Sequence, residues 1–223
     1  MRLSHLAMTI DRVVPPIPSP DVGLEQYTTP GDLAARAAFI LASTAGGLEG
    51  LTVADLGAGT CRLSAAAALL GAGRVIAVEA DRRLLPLCRE ASRELGVEGV
   101  VAPVHGVVSR SRGPIGGADA VLMNPPFGVW RRGADTAFVL YAMSLGASPI
   151  VAILKHGNLE YFRGLASRMG YRVWSALEYW FPIPASMPRH RSRIRRIRVE
   201  VLVFESDQEA GRVRRGPGNY RGV

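Results

Sequence analysis

The sequence contains almost no lysine. Of its 27 basic residues, 26 are arginines and one is Lys155, against 19 acidic residues. Arginine suits bidentate contacts to phosphate and stacking on bases, although genomic base composition can produce the same bias. The surplus is confined to the last third: residues 1–150 contain thirteen arginines and thirteen acids, whereas residues 151–223 contain fourteen basic residues and six acids. We therefore expect the last third to meet an anionic partner.

The chain also lacks an unbroken hydrophobic run long enough to cross a membrane. Its longest uncharged stretch, residues 137–154, is interrupted by Gly146, Ser148 and Pro149. Residues 1–11 lack the cationic flank and apolar segment of a secretory signal. With 48% hydrophobic and 21% charged residues, the composition predicts one cytoplasmic α/β domain.

Cysteine is scarce as well. Cys61 and Cys88 fall in different predicted elements and do not have the spacing of metal ligands. This pattern excludes a disulfide framework and predicts no metal site. We expect two reduced, buried thiols.

Short apolar runs alternate with segments of helical periodicity, which predicts parallel strands joined by right-handed crossovers. Two β-rich runs, residues 171–180 and 194–204, are joined by a proline-containing loop and predict an antiparallel hairpin at one edge. The expected fold is a doubly wound, Rossmann-like α/β sheet of seven strands, mostly parallel. The other predicted strands are residues 51–55, 75–79, 100–104, 120–123 and 150–154, and the predicted helices are residues 30–44, 63–70, 81–95, 134–145 and 159–169.

Composition divides the chain into three parts. Residues 1–23 form a proline-rich lead-in, and Pro15, Pro16, Pro18 and Pro20 predict no helix in residues 11–23. Residues 24–204 form the domain. Residues 205–223 are polar, basic and rich in glycine, which predicts a flexible tail.

A glycine-rich turn, Asp55-Leu56-Gly57-Ala58-Gly59, follows the first strand. Such turns bind nucleotides at the carboxyl edge of open α/β sheets, although a purely structural turn is the alternative. Arg62 stands where the third glycine of a dinucleotide fingerprint belongs, which disfavours an oxidoreductase. Glu79 ends the second strand, where an acidic residue can bind a ribose diol or simply be solvated.

Asn124-Pro125-Pro126-Phe127 follows a buried apolar run, residues 120–123. Two consecutive prolines cannot continue a central strand, so they predict a rigid exit at the same sheet edge. The Asn124 side-chain oxygen and the Pro125 carbonyl can each accept an N–H of a planar amine. Phe127 offers a face for a flipped base. The pattern indicates methylation of an exocyclic nitrogen by positioning, without a metal.

These motifs resemble those of class I S-adenosylmethionine-dependent methyltransferases, in particular the ribosomal RNA adenine-N6 methyltransferases of the methyltransferase-like protein five family. The similarity spans about residues 24–204. Its segments are Leu24-Glu25-Gln26-Tyr27-Thr28-Thr29, Ala54-Asp55-Leu56-Gly57-Ala58-Gly59, Leu70-Gly71-Ala72-Gly73, Met123-Asn124-Pro125-Pro126-Phe127-Gly128, Asp135-x-Ala137-Phe138 and Ile183-Pro184-Ala185-Ser186.

The resemblance implies S-adenosylmethionine as cofactor and a small zinc-ribbon activator protein as partner. It places Gly106 where the family has an acidic residue that contacts the cofactor adenine, so that a backbone amide would take over that contact. It places Glu79 at the ribose. The other implied cofactor-binding residues are Gln26, Tyr27 and Thr29 on the amino-terminal side, and Asp55, Gly57, Ala58, Gly59 and Thr60 around the methionine part.

An arginine cluster follows in the predicted hairpin, with no acid between Ser186 and Val199. The cluster predicts a binding surface for an RNA backbone near the catalytic edge. The alternative interpretation is that these arginines form only the solvated face of a hairpin. Its members are Arg189, Arg191, Arg193, Arg195, Arg196 and Arg198.

The sequence therefore predicts an enzyme that methylates adenine N6 in structured RNA, most of all small-subunit ribosomal RNA. Three alternatives remain open at this point. The substrate could be another planar amine of RNA, guanine N2 or cytosine N4. It could be a protein glutamine, which the arginine-rich last third disfavours. The chain could also be a catalytically silent RNA-binding or assembly factor on the same fold.

Overall fold

The computed structural model describes residues 1–110, 112–128, 132–184 and 194–207. Strands and helices alternate along them. The strands are β1 (Thr52–Leu56), β2 (Arg74–Glu79), β3 (Val101–His105), β4 (Ala120–Met123), β5 (Ile150–Lys155), β6 (Tyr171–Pro184) and β7 (Ile194–Ser206), and the helices are α1 (Leu3–Val13), α2 (Gly31–Ala45), α3 (Arg62–Leu69), α4 (Leu85–Glu94), α5 (Ala134–Ser144) and α6 (Leu159–Arg168).

The seven strands form one sheet in the order β3-β2-β1-β4-β5-β7-β6. Strands β1 to β5 are parallel to one another, whereas β7 runs antiparallel to both β5 and β6. The predicted doubly wound sheet with an antiparallel hairpin at one edge is thus confirmed. Chain order reverses between β1 and β4, which is where open α/β sheets bind their ligands.

Helices cover both faces of the sheet. Buried residues of α1, α2, α3 and α4 form one hydrophobic cluster, and buried residues of α5 and α6 form the other. All four residues of β4 are buried, as expected for a strand covered on both faces. Within the described ranges, no helix has the length and apolar character needed to cross a membrane.

Helix α1 corrects the reading of the amino-terminal segment. The expectation that residues 11–23 contain no helix is wrong for residues 11–13, because α1 reaches Val13. Leu6, Ile10 and Val14 are fully buried, and their spacing of four residues is a helical signal that the following prolines obscured. The prolines end the helix instead of preventing it.

The cysteines require a second correction. They are buried, as expected, but the structure joins Cys61 to Cys88 in a disulfide, with Cα atoms 5.2 Å apart. The expectation of reduced thiols is therefore wrong for this structure. Cys61 precedes α3 and Cys88 lies in α4, so their proximity arises from tertiary packing and not from sequence spacing.

Arg62 fastens the amino-terminal segment to the domain. Its side chain is buried, and its Nη1 atom donates to Asp11 Oδ1 at 2.5 Å and to the Thr29 carbonyl at 3.2 Å. Its Nη2 atom donates to the Val14 carbonyl at 2.7 Å. The residue that replaces the third glycine thus holds α1 and the chain before α2 against the start of α3.

Asp55 is fully buried near the carboxyl end of β1. Its Oδ2 atom accepts hydrogen bonds from the Ser64 backbone N–H at 2.9 Å and from the Ser64 hydroxyl at 2.5 Å. Burial raises the pKa of Asp55 to about 7, against the lowering effect of those two bonds, and nearby Glu79 raises it further. The carboxyl thereby ties α3 to the sheet.

Replacing Arg62 by methionine should destabilise the fold by roughly 2 to 4 kcal/mol, because three acceptors lose a buried charged donor. Urea denaturation measures the change. The matched control is Arg163→Met, which breaks an exposed ion pair with Glu160 and should cost below about 1 kcal/mol. Equal losses in the two variants would contradict the fastening role.

The pKa of Asp55 should make stability depend on pH. Because the folded-state pKa of about 7 exceeds the usual 3.8, the folded protein binds more protons between those values, and stability falls as pH rises towards 7. Between about pH 5 and about pH 8, wild type should lose roughly 2 to 3 kcal/mol relative to Asp55→Asn. Urea titrations at both pH values test this, and parallel curves for the two proteins would refute it.

Candidate active site

A pocket of about 370 Å³ opens at the carboxyl ends of the parallel strands, where chain order reverses. The pocket is lined by segments from both halves of the sheet, on either side of the point where strand order reverses. They are the glycine turn after β1, the end of β2, the loop after β3, the turn of residues 124–127 after β4, the start of α5 and the segment before α2. The turn of residues 124–127 is called the catalytic turn after its predicted role. The sequence motifs thus converge on one cavity.

The glycine turn forms the floor of the pocket. Gly57 and Gly59 adopt φ angles of 76° and 58°, which side chains other than glycine rarely tolerate. A Cβ atom at Gly57 would also lie 3.2 Å from the Phe138 ring. The N–H groups of Gly57 and Ala58 both donate to the Val78 carbonyl at 2.9 Å, so β2 fixes the turn.

Glu79 lies at the end of β2 and lines the pocket. Its Oε2 atom accepts the Gly59 N–H at 2.7 Å, and its Oε1 atom accepts the Asp81 N–H at 2.8 Å. Burial raises the pKa of Glu79. Each oxygen has a further lone pair, so the carboxylate can bind a ligand hydroxyl while it braces the turn.

Of the predicted cofactor residues, Asp55 and Gln26 differ in their relation to the pocket. Asp55 does not line the pocket; it lies beneath the turn, bonded to Ser64. Gln26 does line it, and its side chain connects the Asp21 N–H at 2.8 Å to Asp81 Oδ2 at 3.1 Å. The pKa of Asp81 is held well below its usual range, chiefly by its hydrogen bond from Arg83.

Gly106 lines the pocket beside Val107 and Val108. A Cβ atom at Gly106 would lie 2.4 Å from a side-chain carbon of Pro114. This explains why no acidic residue stands at the position. The Gly106 N–H donates to the Glu79 carbonyl at 2.9 Å. The backbone amide that was expected to contact the cofactor adenine in place of an acidic side chain is thus already hydrogen-bonded within the protein.

The side-chain amide of Asn124 is held at the pocket wall. Its Nδ2 atom donates to Thr29 Oγ1 at 3.0 Å. Its Oδ1 atom is buried and has no hydrogen-bond partner among the described residues. Pro125 is buried beneath it, and Pro126 lines the pocket. The turn therefore presents one fixed, unsatisfied acceptor.

The Phe127 ring is packed against other aromatic rings and is not exposed to the pocket. It is only 5% exposed, its ring stacks on Tyr27 with centroids 5.7 Å apart, and Phe181 of β6 meets it edge-on at 5.5 Å. We call these three rings the aromatic cluster. Tyr27 occupies one face of Phe127, so the predicted stacking of a base there stays a prediction that requires Tyr27 to move.

The segment before α2 closes the amino-terminal side of the pocket. Thr60 donates its hydroxyl to the Pro15 carbonyl at 2.7 Å, and Thr28 Oγ1 accepts the Ile17 N–H at 2.9 Å. Ile17 and Phe138 also line the pocket, and sequence reasoning assigned neither to the site. Ile17 was hidden by the flanking prolines, whereas Phe138 belongs to a motif that already carried the family resemblance.

The arginine cluster is only partly visible. Arg189, Arg191 and Arg193 lie outside the described residues, as does the side chain of Arg195. Arg196 and Arg198 are exposed on β7. Arg198 forms an ion pair with Glu178 of β6, and its guanidinium carbon lies 5.7 Å from the ring centroid of Trp180.

His156 lies beside two carboxylates near this hairpin. It contacts the buried Glu200 and faces Glu178, with potential donor atoms of all three within 4.8 Å of one another. These three side chains and Arg198, which pairs with Glu178, are described together as one polar cluster. The expectation of no metal site stays a prediction.

Comparisons with known proteins agree with this geometry. No protein-family model matches the chain. The rRNA N(6)-adenosine-methyltransferase Mettl5 of Drosophila melanogaster is 32% identical over 194 residues, covering 85% of this chain and 90% of that protein. METTL5 of Danio rerio, which has the same descriptive name, is 27% identical over 205 residues, covering 92% and 99%.

A solved structure shows the same architecture. The crystal structure of a provisionally named RNA methyltransferase from Pyrococcus horikoshii superposes with a TM-score of 0.81 and 34% identity, covering 92% of this chain and 98% of that one. The similarity therefore extends over nearly the whole chain. The chain belongs to the METTL5 family of methyltransferases.

Proposed function

We propose that this protein transfers a methyl group from S-adenosylmethionine to the exocyclic N6 of an adenine in structured RNA, with small-subunit ribosomal RNA as substrate. The observation that carries the proposal is the Oδ1 atom of Asn124, a buried acceptor in the pocket wall without a partner. Leaving such an acceptor unsatisfied costs about 1 to 3 kcal/mol. An N–H of the substrate amine would recover that cost.

The residues of the catalytic turn suit an amine whose lone pair is delocalised into a base. Asn124 Oδ1 and the Pro125 carbonyl can accept the two N–H groups and so orient the nitrogen. Proline at positions 125 and 126 keeps both acceptors rigid. The proposed catalysis is therefore mainly positioning, and S-adenosylmethionine supplies a methyl group on a cationic sulfur.

The pocket suits that cofactor. Glu79 can accept hydroxyl groups of a ribose, and the glycine turn allows close approach of the methionine part. Gln26 and Thr60 complete the wall near these groups. Because Gly106 has no room for an acidic side chain, we propose that Val107 and Val108 hold the adenine by apolar contact. Asp55 acts by positioning the turn.

Adenine in ribosomal RNA is favoured over the other planar amines for two reasons. The curated relatives are named rRNA N(6)-adenosine-methyltransferases, and the arginine surplus lies in the last third of the chain. A zinc-ribbon partner is proposed from the family resemblance alone. The outer strands β3 and β6 each leave one backbone edge to which a partner strand could add. A cytoplasmic location stays a prediction.

The proposal is tested by incubating the protein with labelled S-adenosylmethionine and either total RNA or ribosomal subunits, then identifying the modified nucleoside by mass spectrometry. We expect labelled N6-methyladenosine. Label on guanine N2, cytosine N4 or protein would replace the substrate assignment. A protein that binds no cofactor by calorimetry, with or without its partner, would instead be a silent RNA-binding factor.

In the same assay, Asn124→Ala should lower transfer by at least about 100-fold, since it removes an acceptor that the reacting amine requires. Cofactor affinity, measured by calorimetry, should stay within about threefold, because the Asn124 amide touches the amine and not the cofactor ribose. Retained transfer in this variant would refute the mechanism.

Thr29→Val should lower kcat by roughly 10-fold, because it removes the hydroxyl that fixes the Asn124 amide. Thr29→Ser keeps the hydroxyl and is the matched control, with near wild-type kcat expected. Thermal denaturation of both variants checks that the fold is intact. Equal kcat values for the valine and serine variants would show that the bond does not orient the amide.

A further inference from the structure

Trp180 is a large aromatic side chain that the fold leaves uncovered. It is 59% exposed, although its neighbour Phe181 is fully buried in the aromatic cluster. Successive side chains of a strand point to opposite faces, so the β6 backbone that buries Phe181 turns Trp180 outward. Arg198 is its cross-strand partner on β7, and the Arg198 guanidinium lies over the indole ring.

The strand register places this pair on the substrate side of the sheet. Met123 of β4 is level with Ala152 of β5, and Lys155 of β5 is level with Val199 of β7. Arg198 is one residue further out. The pair therefore lies roughly 10 Å beyond the level of Asn124. Arg198 is about two strand spacings, or 10 Å, to the side of Asn124, and Trp180 is about three, or 14 Å.

The charges around the ring favour an anionic ligand. Arg196 and Arg198 are exposed on β7, and the sequence from Ser186 to Val199 contains six arginines and no acid. Glu178, an exposed carboxylate two residues before Trp180, is already engaged by Arg198. An aromatic ring beside arginines matches nucleic acid, whose bases stack on aromatic rings while phosphates contact guanidinium groups.

We propose that Trp180 and Arg198 form a stacking site for an unpaired RNA nucleotide that flanks the methylated adenine. The site deepens the function proposed above and rests on it for the identity of the RNA. The indole face opposite the Arg198 guanidinium binds a base, so that Arg198 and the base cover the two faces of the ring, and the exposed Arg196 contacts an adjoining phosphate. Stacking requires an unpaired base, so the site selects loops, bulges or ends over continuous duplex.

The test measures binding of a fluorescently labelled single-stranded oligoribonucleotide, without cofactor, by anisotropy. Trp180→Ala should weaken binding by about 5-fold to about 100-fold, the range that stacking of one base supplies. Trp180→Phe keeps a smaller ring and should recover most of the loss. A duplex of the same length should bind wild type and Trp180→Ala equally.

Trp174→Ala is the matched control. Trp174 lies on the same strand and is 40% exposed. Its indole N–H donates to Glu205 Oε2 at 3.1 Å, so the carboxylate beside the ring disfavours an anionic ligand. We expect no change in RNA binding for this variant. Equal losses for Trp174→Ala and Trp180→Ala, or no loss for Trp180→Ala, would overturn the stacking site.

Two further measurements separate this inference from the proposed function. Trp180→Ala that methylates RNA with wild-type kcat/KM would overturn the stacking site while leaving the function intact. Trp180-dependent RNA binding by a wild-type protein that transfers no methyl group would leave the stacking site intact and refute the function.

A change in oligomeric state of Trp180→Ala, measured by light scattering, would show that the Trp180 ring packs against another protein chain and would also overturn the stacking site.

Discussion

The buried guanidinium of Arg62 is the interaction on which the active site depends. It bonds Asp11 of α1 and the carbonyls of Val14 and Thr29, so a single side chain fixes both ends of the segment that closes the pocket. Ile17, Tyr27 and Thr29 reach the site only because that segment is fixed. A position that in dinucleotide-binding proteins is a glycine, close to the ligand, here supports the wall around the ligand.

From that wall, two contacts cross to the catalytic turn. Thr29 orients the Asn124 amide through one hydrogen bond, and Tyr27 stacks on Phe127. Phe181 then carries the packing onward to the hairpin. The amino-terminal segment, the catalytic turn and the hairpin are therefore joined by one polar contact and one aromatic cluster. The residues proposed to act on the amine and those proposed to hold RNA therefore pack on a continuous support.

Much of this was predictable from sequence, because local patterns determine it. β4 was predicted with the bounds that the structure shows, since a four-residue apolar run ending at Asn-Pro-Pro leaves little freedom. The glycine turn, Glu79 and Asn124 lie at one edge because parallel strands require it. The expectation of reduced thiols failed because the pairing of Cys61 with Cys88 depends on tertiary packing. Tertiary packing also determines the burial of Phe127 and the hydrogen bonds of Asp55 beneath the pocket, which the sequence did not indicate. Helix α1 was missed for another reason. The apolar residues of its buried face have helical spacing, but the prolines that follow the helix indicated an extended segment.

Gly106 and Pro114 show how packing constrains the history of such a site. The ring of Pro114 fills the volume that any side chain at position 106 would need. An acidic residue could appear at position 106 only after Pro114 had been replaced by something smaller or had moved. The two positions are therefore coupled, and the order of substitutions is set by steric overlap. With Pro114 in place, position 106 offers no side chain to a bound ligand, and any contact to the proposed cofactor adenine has to come from other residues of the pocket.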